Sequence, residues 1–149
     1  MKTAIDTNIL VYAEGVSGLH KGETARALMA RLKTGAVVPV QVLAEFYNVL
    51  TVKARIPASE ARSLASQLAG FYQTVPTTAG LLAAATELSD LHRLRIFDAV
   101  ILSAAAEAGC ALLLSEDMQD GFVYRGVTVA NPFAETPHPL LASLLETPQ

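Results

Sequence analysis

The sequence predicts an α/β fold of three layers, a central parallel sheet of four to five strands flanked by helices. Three observations predict it. Short apolar runs of strand length recur at 2–6, 36–40, 111–114 and 127–129. Longer segments between them repeat their apolar residues at helical spacing. Strands separated by helix-length segments pair in parallel through crossovers, which leaves helices to cover both faces of the sheet.

Residues 2–6 read as a strand ending at Asp6, and Thr7–Tyr12 as a short helix capped by Asp6 or Thr7. A helix from about Lys21 to Lys33 carries Ala25, Leu28, Met29 and Leu32 on one face, with Gly35 as its stop. Ala36–Val40 is a short buried strand, and Pro39 sets its end near an edge or a bend. A helix from about Gln41 to Arg55 shows the stripe Leu43, Phe46, Tyr47, Leu50, and Ile56-Pro57 ends it. Ser59–Tyr72 forms another, with Leu64, Ala65, Leu68 and Phe71 on one face. Thr74–Pro76 is a brief strand, after which Thr78 caps a helix running to about Leu91. Phe97–Ala108 is helical and stops at Gly109; Ala111–Leu114 and Val127–Val129 are the last strands.

Bulk composition narrows the function classes. The 149 residues suit a single domain, and 52% of them are hydrophobic, yet no apolar stretch reaches the length of a membrane span. No signal peptide is expected, since the N-terminus runs directly into a core strand. The single cysteine, Cys110, excludes an internal disulfide and a cysteine-based zinc site; in its apolar setting it reads as a small buried hydrophobe. A cytoplasmic protein is expected. The net charge of −3 argues against holding nucleic acid by bulk electrostatics alone. It is compatible with an enzyme that reaches a phosphate through bound cations.

Acidic residues stand where a parallel sheet gathers its functional groups, beyond the carboxyl ends of the strands. Asp6 closes the first strand, and Asp117 lies three residues beyond Leu114. Asp98 falls at or near the start of a helix, and Glu45 in the first turn or so of the helix after the second strand. Asp120, three residues past Asp117, is within reach as an outer ligand or hydrogen-bonding support. Carboxylates amid Ile, Val and Leu are costly to desolvate without a positive or hydrogen-bonding partner. Lys and Arg are scarce beside them, so a metal ion is the leading candidate. An all-oxygen set suits Mg²⁺ or Mn²⁺ rather than zinc. Such an ion lowers the pKa of water and neutralises phosphoryl charge, so phosphodiester hydrolysis needs no nucleophilic side chain. His20, His92 and His138 lie in loops or at helix ends and supply none. Each acid alone has a plainer reading, as a helix cap, a turn residue or a solvated side chain. Their joint placement carries the argument.

These residues resemble the motifs of PIN-domain ribonucleases. Asp6-Thr7-Asn8-Ile9-Leu10 is similar to the opening motif, and Val42-Leu43-Ala44-Glu45-Phe46-Tyr47 to the segment of the second acid. Asp98-Ala99 with Ile101 and Ala104-Ala105-Ala106 resembles the third, and Leu114 to Gly121 the last. The match runs from about residue 2 to 132, which makes 1–132 the nuclease domain and 133–149 a C-terminal extension of it, read as a wrapping or interface segment. The size is similar to VapC-type toxins of bacterial toxin–antitoxin pairs. The resemblance implies a metal-dependent endoribonuclease whose catalytic and metal-holding quartet is Asp6, Glu45, Asp98 and Asp117, supported by Asn8, Ser115 and Asp120. Asp6, Asp98 and Asp117 then hold Mg²⁺ or Mn²⁺, and Glu45 orients or deprotonates the attacking water. The resemblance also implies a homodimer and a small antitoxin protein that blocks the acidic pocket with an Arg. Lys53, Arg55, Arg93 and Arg95 are the candidates for contact with an RNA substrate.

Rival readings are weaker. A haloacid-dehalogenase-type phosphatase wants a second Asp where this chain has Asn8, and a response-regulator receiver wants an early acidic pair and a late Lys that are both missing. A non-catalytic dimeric binding module on the same fold, its acids mere helix caps, is the alternative from another class.

Overall fold

The computed structural model describes residues 1–146. Its six strands, β1 (Thr3–Ile5), β2 (Ala36–Pro39), β3 (Gln73–Val75), β4 (Leu112–Leu114), β5 (Val123–Tyr124) and β6 (Val127–Ala130), form one sheet in the order β3-β2-β1-β4-β6-β5. All neighbours pair in parallel except β5 and β6. Every residue of β1, β2, β4 and β6 is buried, as expected of strands covered on both faces. Among the described residues, seven α-helices flank the sheet: α1 (Thr7–Ala13), α2 (Leu19–Leu32), α3 (Val40–Asn48), α4 (Ala58–Phe71), α5 (Ala79–His92), α6 (Ile96–Glu107) and α7 (Pro139–Glu146). None of these helices is long and apolar enough to cross a membrane.

The chain starts in the middle of this sheet. From β1 it steps outward to β2 and β3 on one side, then returns through α6 to β4 and β6 on the other. Strand order therefore reverses between β1 and β4, and a crevice opens beyond the carboxyl ends of these two strands. Helix α6 is the innermost helix: Ala99 through Ala105 are all buried, so it shows no amphipathic face.

The sheet has one strand more than the four to five expected, and the extra strand is β5. It turns back onto β6 through Arg125 and Gly126, both with positive φ (45° and 84°), which matches the sense of a two-residue hairpin turn. The helix expected over 41–55 is broken: α3 ends at Asn48 and a π-helical turn, Val49–Lys53, comes after it. Its buried stripe is Val42, Phe46 and Leu50, while Tyr47 is 38% exposed. The face expected for α4 holds at Leu64, Ala65 and Leu68, which pack against the core. Ala61 adds a fully buried position to that face and only Phe71, 57% exposed, departs from it; α4 packs mainly on α3 at the rim of the sheet, beside β3.

The extension beyond residue 132 lies back on the domain as far as Glu146; its last three residues fall outside the described ones. Phe133 meets Tyr12 of α1 edge-to-face at 5.2 Å. Leu141 of α7 is buried at 1% exposure, and the backbone carbonyl of Leu144 accepts from Arg31 Nε of α2 at 2.9 Å. Cys110 is buried, and burial pushes its thiol up to about 11, so it stays protonated and inert near neutral pH.

Candidate active site: an acidic crevice at the strand-order reversal

Asp6 comes directly after β1 and caps α1. Its backbone N–H continues the β1–β4 pairing to Leu114 O (3.0 Å), which fixes the residue at the floor of the crevice. The side chain is only 3% exposed. Oδ1 accepts from the Thr7 backbone N–H at 2.7 Å and Oδ2 from Ser115 Oγ at 2.6 Å. Burial nevertheless dominates and raises its pKa from 3.8 to about 6. The two hydrogen bonds oppose that shift, and the charges of Asp98 and Glu45 add to it. That Asp98 and Glu45 act on Asp6 sets three acids in one electrostatic neighbourhood.

The other carboxylates each have a partner of their own. Glu45, in the second turn of α3, accepts from Thr7 Oγ1 and from Gln41 Nε2, both at 3.0 Å. Asp98 is the third residue of α6, where a negative charge also meets the positive end of the helix. It accepts from Arg95 Nε at 3.3 Å. Arg95 in turn feels Asp98 first, then Asp117 and Glu45, and its pKa is raised accordingly. Asp117, exposed on the loop after β4, accepts from Asn8 Nδ2 at 3.0 Å. Asp120 accepts from the Asn131 backbone N–H at 2.8 Å and ties this loop to the end of β6.

The supporting polar residues link the crevice walls. Ser115 is fully buried; its hydroxyl donates to Asp6 and accepts from Met118 N at 3.3 Å. Asn8 bridges α1 to the β4 loop, donating to Asp117 and accepting from Glu116 N at 3.4 Å.

A further set of residues behind the acids carries no local signal in the sequence. Glu116 accepts from Tyr12 OH and from Lys21 Nζ, and Lys21 lies over the rings of Tyr12 (5.2 Å) and Phe133 (5.6 Å). Glu116, next to Asp117, is thus paired and turned away to a corner built by α1, α2 and the C-terminal extension. Thr7 and Gln41, which hold Glu45, were equally invisible as functional residues; a hydroxyl and an amide carry no signal of their own.

A cleft of about 460 Å³ adjoins the acids. Thr7, Asn8, Glu45 and Asp117 line it together with Val11, Tyr12, Val49 and Lys53. Of the four basic residues singled out in the sequence, Lys53 lines this cleft and Arg95 is paired to Asp98, whereas Arg55 and Arg93 lie outside its lining.

The oxygen-only donor set suits a hard divalent cation, and a cation here would offset the desolvation and like-charge repulsion that raise Asp6. As the side chains are disposed, no three His, Cys, Asp or Glu groups among the described residues converge closely enough to hold one ion. Each acid is turned instead toward its own hydrogen-bond donor. Gathering three of them on one ion would therefore take side-chain rotation; at Asp98, Oδ2 is the oxygen engaged by Arg95.

Comparison with known proteins gives this geometry its family. No curated protein matches the chain in sequence. Among solved structures, the fold is similar to the Mycobacterium tuberculosis toxin VapC20, which cleaves the sarcin–ricin loop (TM-score 0.64, 21% identity, 74% of this chain and 86% of that one). It is similar also to a toxin–antitoxin complex from Klebsiella pneumoniae (0.63, 18%, 88% and 98%). A third is VapBC2 from Rickettsia felis, bound to a fragment of its promoter DNA (0.60, 19%, 87% and 97%). The model of the PIN domain matches residues 3–120, from β1 through all four crevice acids to Asp120, and the chain belongs to the PIN domain family.

Proposed function

We propose that this chain is a Mg²⁺- or Mn²⁺-dependent endoribonuclease and the toxin of a type II toxin–antitoxin pair, acting in the cytoplasm. The observation that carries the reading is the buried Asp6 carboxylate, pressed by the charges of Asp98 and Glu45 at the strand-order reversal. Asp6 does cap α1, but capping alone does not call for a carboxylate buried to 3% exposure with two further acids near it. Membership of the PIN domain family supports a nuclease, and the likeness to solved toxins supports the toxin role.

Asp6, Asp98 and Asp117 would hold the metal, with Glu45 at its margin. When bound, the ion supplies a water of lowered pKa and neutralises the phosphoryl oxygens. Glu45, oriented by Thr7 and Gln41, takes the proton of the attacking water. Ser115 and Thr7 fix the Asp6 carboxylate, and Asn8 fixes Asp117. In-line displacement of the 3′ oxygen leaves a 5′-phosphate and does not use the 2′-hydroxyl. Residues 1–146 act as one nuclease unit in a homodimer, and a small antitoxin silences it by covering the acids.

The test compares cleavage of RNA by purified protein in Mn²⁺ and in EDTA, beside an Asp98→Asn variant. Cleavage should require the metal, vanish in the variant and yield 5′-phosphate ends. Cleavage that survives EDTA and Asp98→Asn, or ends bearing a 2′,3′-cyclic phosphate, would sink the mechanism.

A further inference from the structure

A π-helical turn follows α3 along the edge of the cleft. Inside an uninterrupted α-helix each residue advances about 100° around the axis. Between Val49 and Lys53 the hydrogen bonds widen: Ala54 N bonds to Val49 O (3.1 Å), five residues back, and Ile56 N to Leu50 O (2.9 Å), six back. One extra residue in the turn rotates the downstream side chains by roughly one residue's angle. No Pro or Gly lies within the turn to force it. Arg55, with φ of 54°, closes it in the left-handed region that a residue of this kind adopts at a cost. Local strain and a widened turn thus coincide on the element beyond Glu45.

Lys53 stands four residues after Val49 and eight after Glu45, a spacing that sets all three on one helix face, and all three line the cleft. Lys53 is the last residue of the turn and lines the cleft with Glu45, Asn8 and Asp117. Its neighbour Val52 points outward and is 65% exposed. Lys53 has no ion pair among the described residues, although Glu45 and Asp117 line the same cleft, whereas Arg95 is paired to Asp98. An exposed lysine at the edge of an acid-lined cleft, with no salt bridge to it, can meet an anion brought in from outside.

We propose that Lys53, on the helix face that carries Glu45 and Val49 to the acid-lined cleft, holds with its ammonium a backbone phosphate of single-stranded RNA beside the bond to be cut. This rests on the nuclease reading and adds to it a substrate-positioning residue. The contact is with phosphate, so it carries affinity rather than sequence preference.

The experiment uses the full chain and two readouts. Steady-state cleavage of RNA in Mn²⁺ is measured for the unaltered protein, Lys53→Met, and a double variant, Lys53→Gln with Val52→Lys. The double variant keeps the net charge and moves it one residue outward. Binding of a short single-stranded oligoribonucleotide to each protein carrying Asp98→Asn is followed by fluorescence anisotropy over a range of salt. Arg62→Gln, the same charge loss on the exposed face of α4, is the control. Lys53→Met and the double variant should raise KM and weaken binding about tenfold with kcat within twofold. The slope of log affinity against log salt should fall by about 0.7, one phosphate contact on a single strand. Lys53→Arg should restore most of the loss. If the double variant binds as the unaltered protein does, or Lys53→Met matches Arg62→Gln, only bulk charge matters and the inference is overturned while the nuclease stands. Absence of metal-dependent cleavage by the unaltered protein would overturn both.

Discussion

Asp6 is costly to the metal-free protein, and the cost has a pH signature. Its pKa is raised from 3.8 to about 6, chiefly by burial. A group whose folded pKa lies above its unfolded value binds its proton more tightly when folded, so stability falls as pH rises through that window. Below pH 3.8 the side chain is protonated in both states and costs nothing; above about 6 the full penalty applies, on the order of 3 kcal/mol. In EDTA, Asp6→Asn should therefore raise the urea midpoint at pH 8, and the gain should shrink steadily toward pH 4. Mn²⁺ should stabilise the unaltered protein at pH 8 and leave Asp6→Asn little changed, because only the former offers a full ligand set. A variant less stable than the unaltered protein at pH 8 in EDTA would mean that the Ser115 and Thr7 hydrogen bonds outweigh the burial of charge.

Among the elements, α1 does the most to assemble the crevice. Asp6 caps it, Thr7 reaches Glu45, and Asn8 and Tyr12, one turn apart, grip the loop after β4 at Asp117 and Glu116. Asn8→Ala removes the donor to Asp117 and the acceptor for Glu116 N while leaving the buried face of α1, Ile9, Leu10 and Val11, intact. It should weaken Mn²⁺ binding in calorimetry by roughly tenfold, the usual loss for a partner of a metal ligand. Unchanged affinity would show that Asp117 needs no such support. Much at this scale was legible in the sequence. Thr78 does cap α5, its hydroxyl accepting from Leu81 N at 3.1 Å, and the strand ends fall beside Asp6 and Asp117. The π turn was not legible, since Val49-Leu50-Thr51-Val52-Lys53 contains no Pro or Gly to mark a break in the helix. Strand β5 is only two residues long, too short to show a period of two; its one signal was Arg125-Gly126 before the apolar run. Partnerships such as Thr7–Glu45, Lys21–Glu116 and Tyr12–Glu116 span 38, 95 and 104 residues, and no local pattern encodes them.

At the scale of the whole molecule, the question is whether the C-terminal extension belongs to the folding unit of the acids. The family match stops at residue 120, yet contacts after it lead back to the site. Phe133 packs on Tyr12 and lies under Lys21, the two residues that turn Glu116 away from the crevice. Further on, α7 buries Leu141 in the core and is fastened to α2 through Arg31. If α7 is part of one cooperative unit, Leu141→Ala should lower stability by about 2–4 kcal/mol through lost burial and the cavity it leaves. Unfolding should remain a single transition, with the midpoints from far-ultraviolet circular dichroism and tyrosine fluorescence shifting together. A separately fraying α7 would give a different result: loss of some helical signal at low urea with the main midpoint unmoved. Phe133→Ala separates the second role of the extension from the first. It removes the ring beneath Lys21 while leaving α7 docked, so Mn²⁺ affinity should fall more than the modest loss of stability accounts for. An effect on stability alone would confine the extension to wrapping the domain.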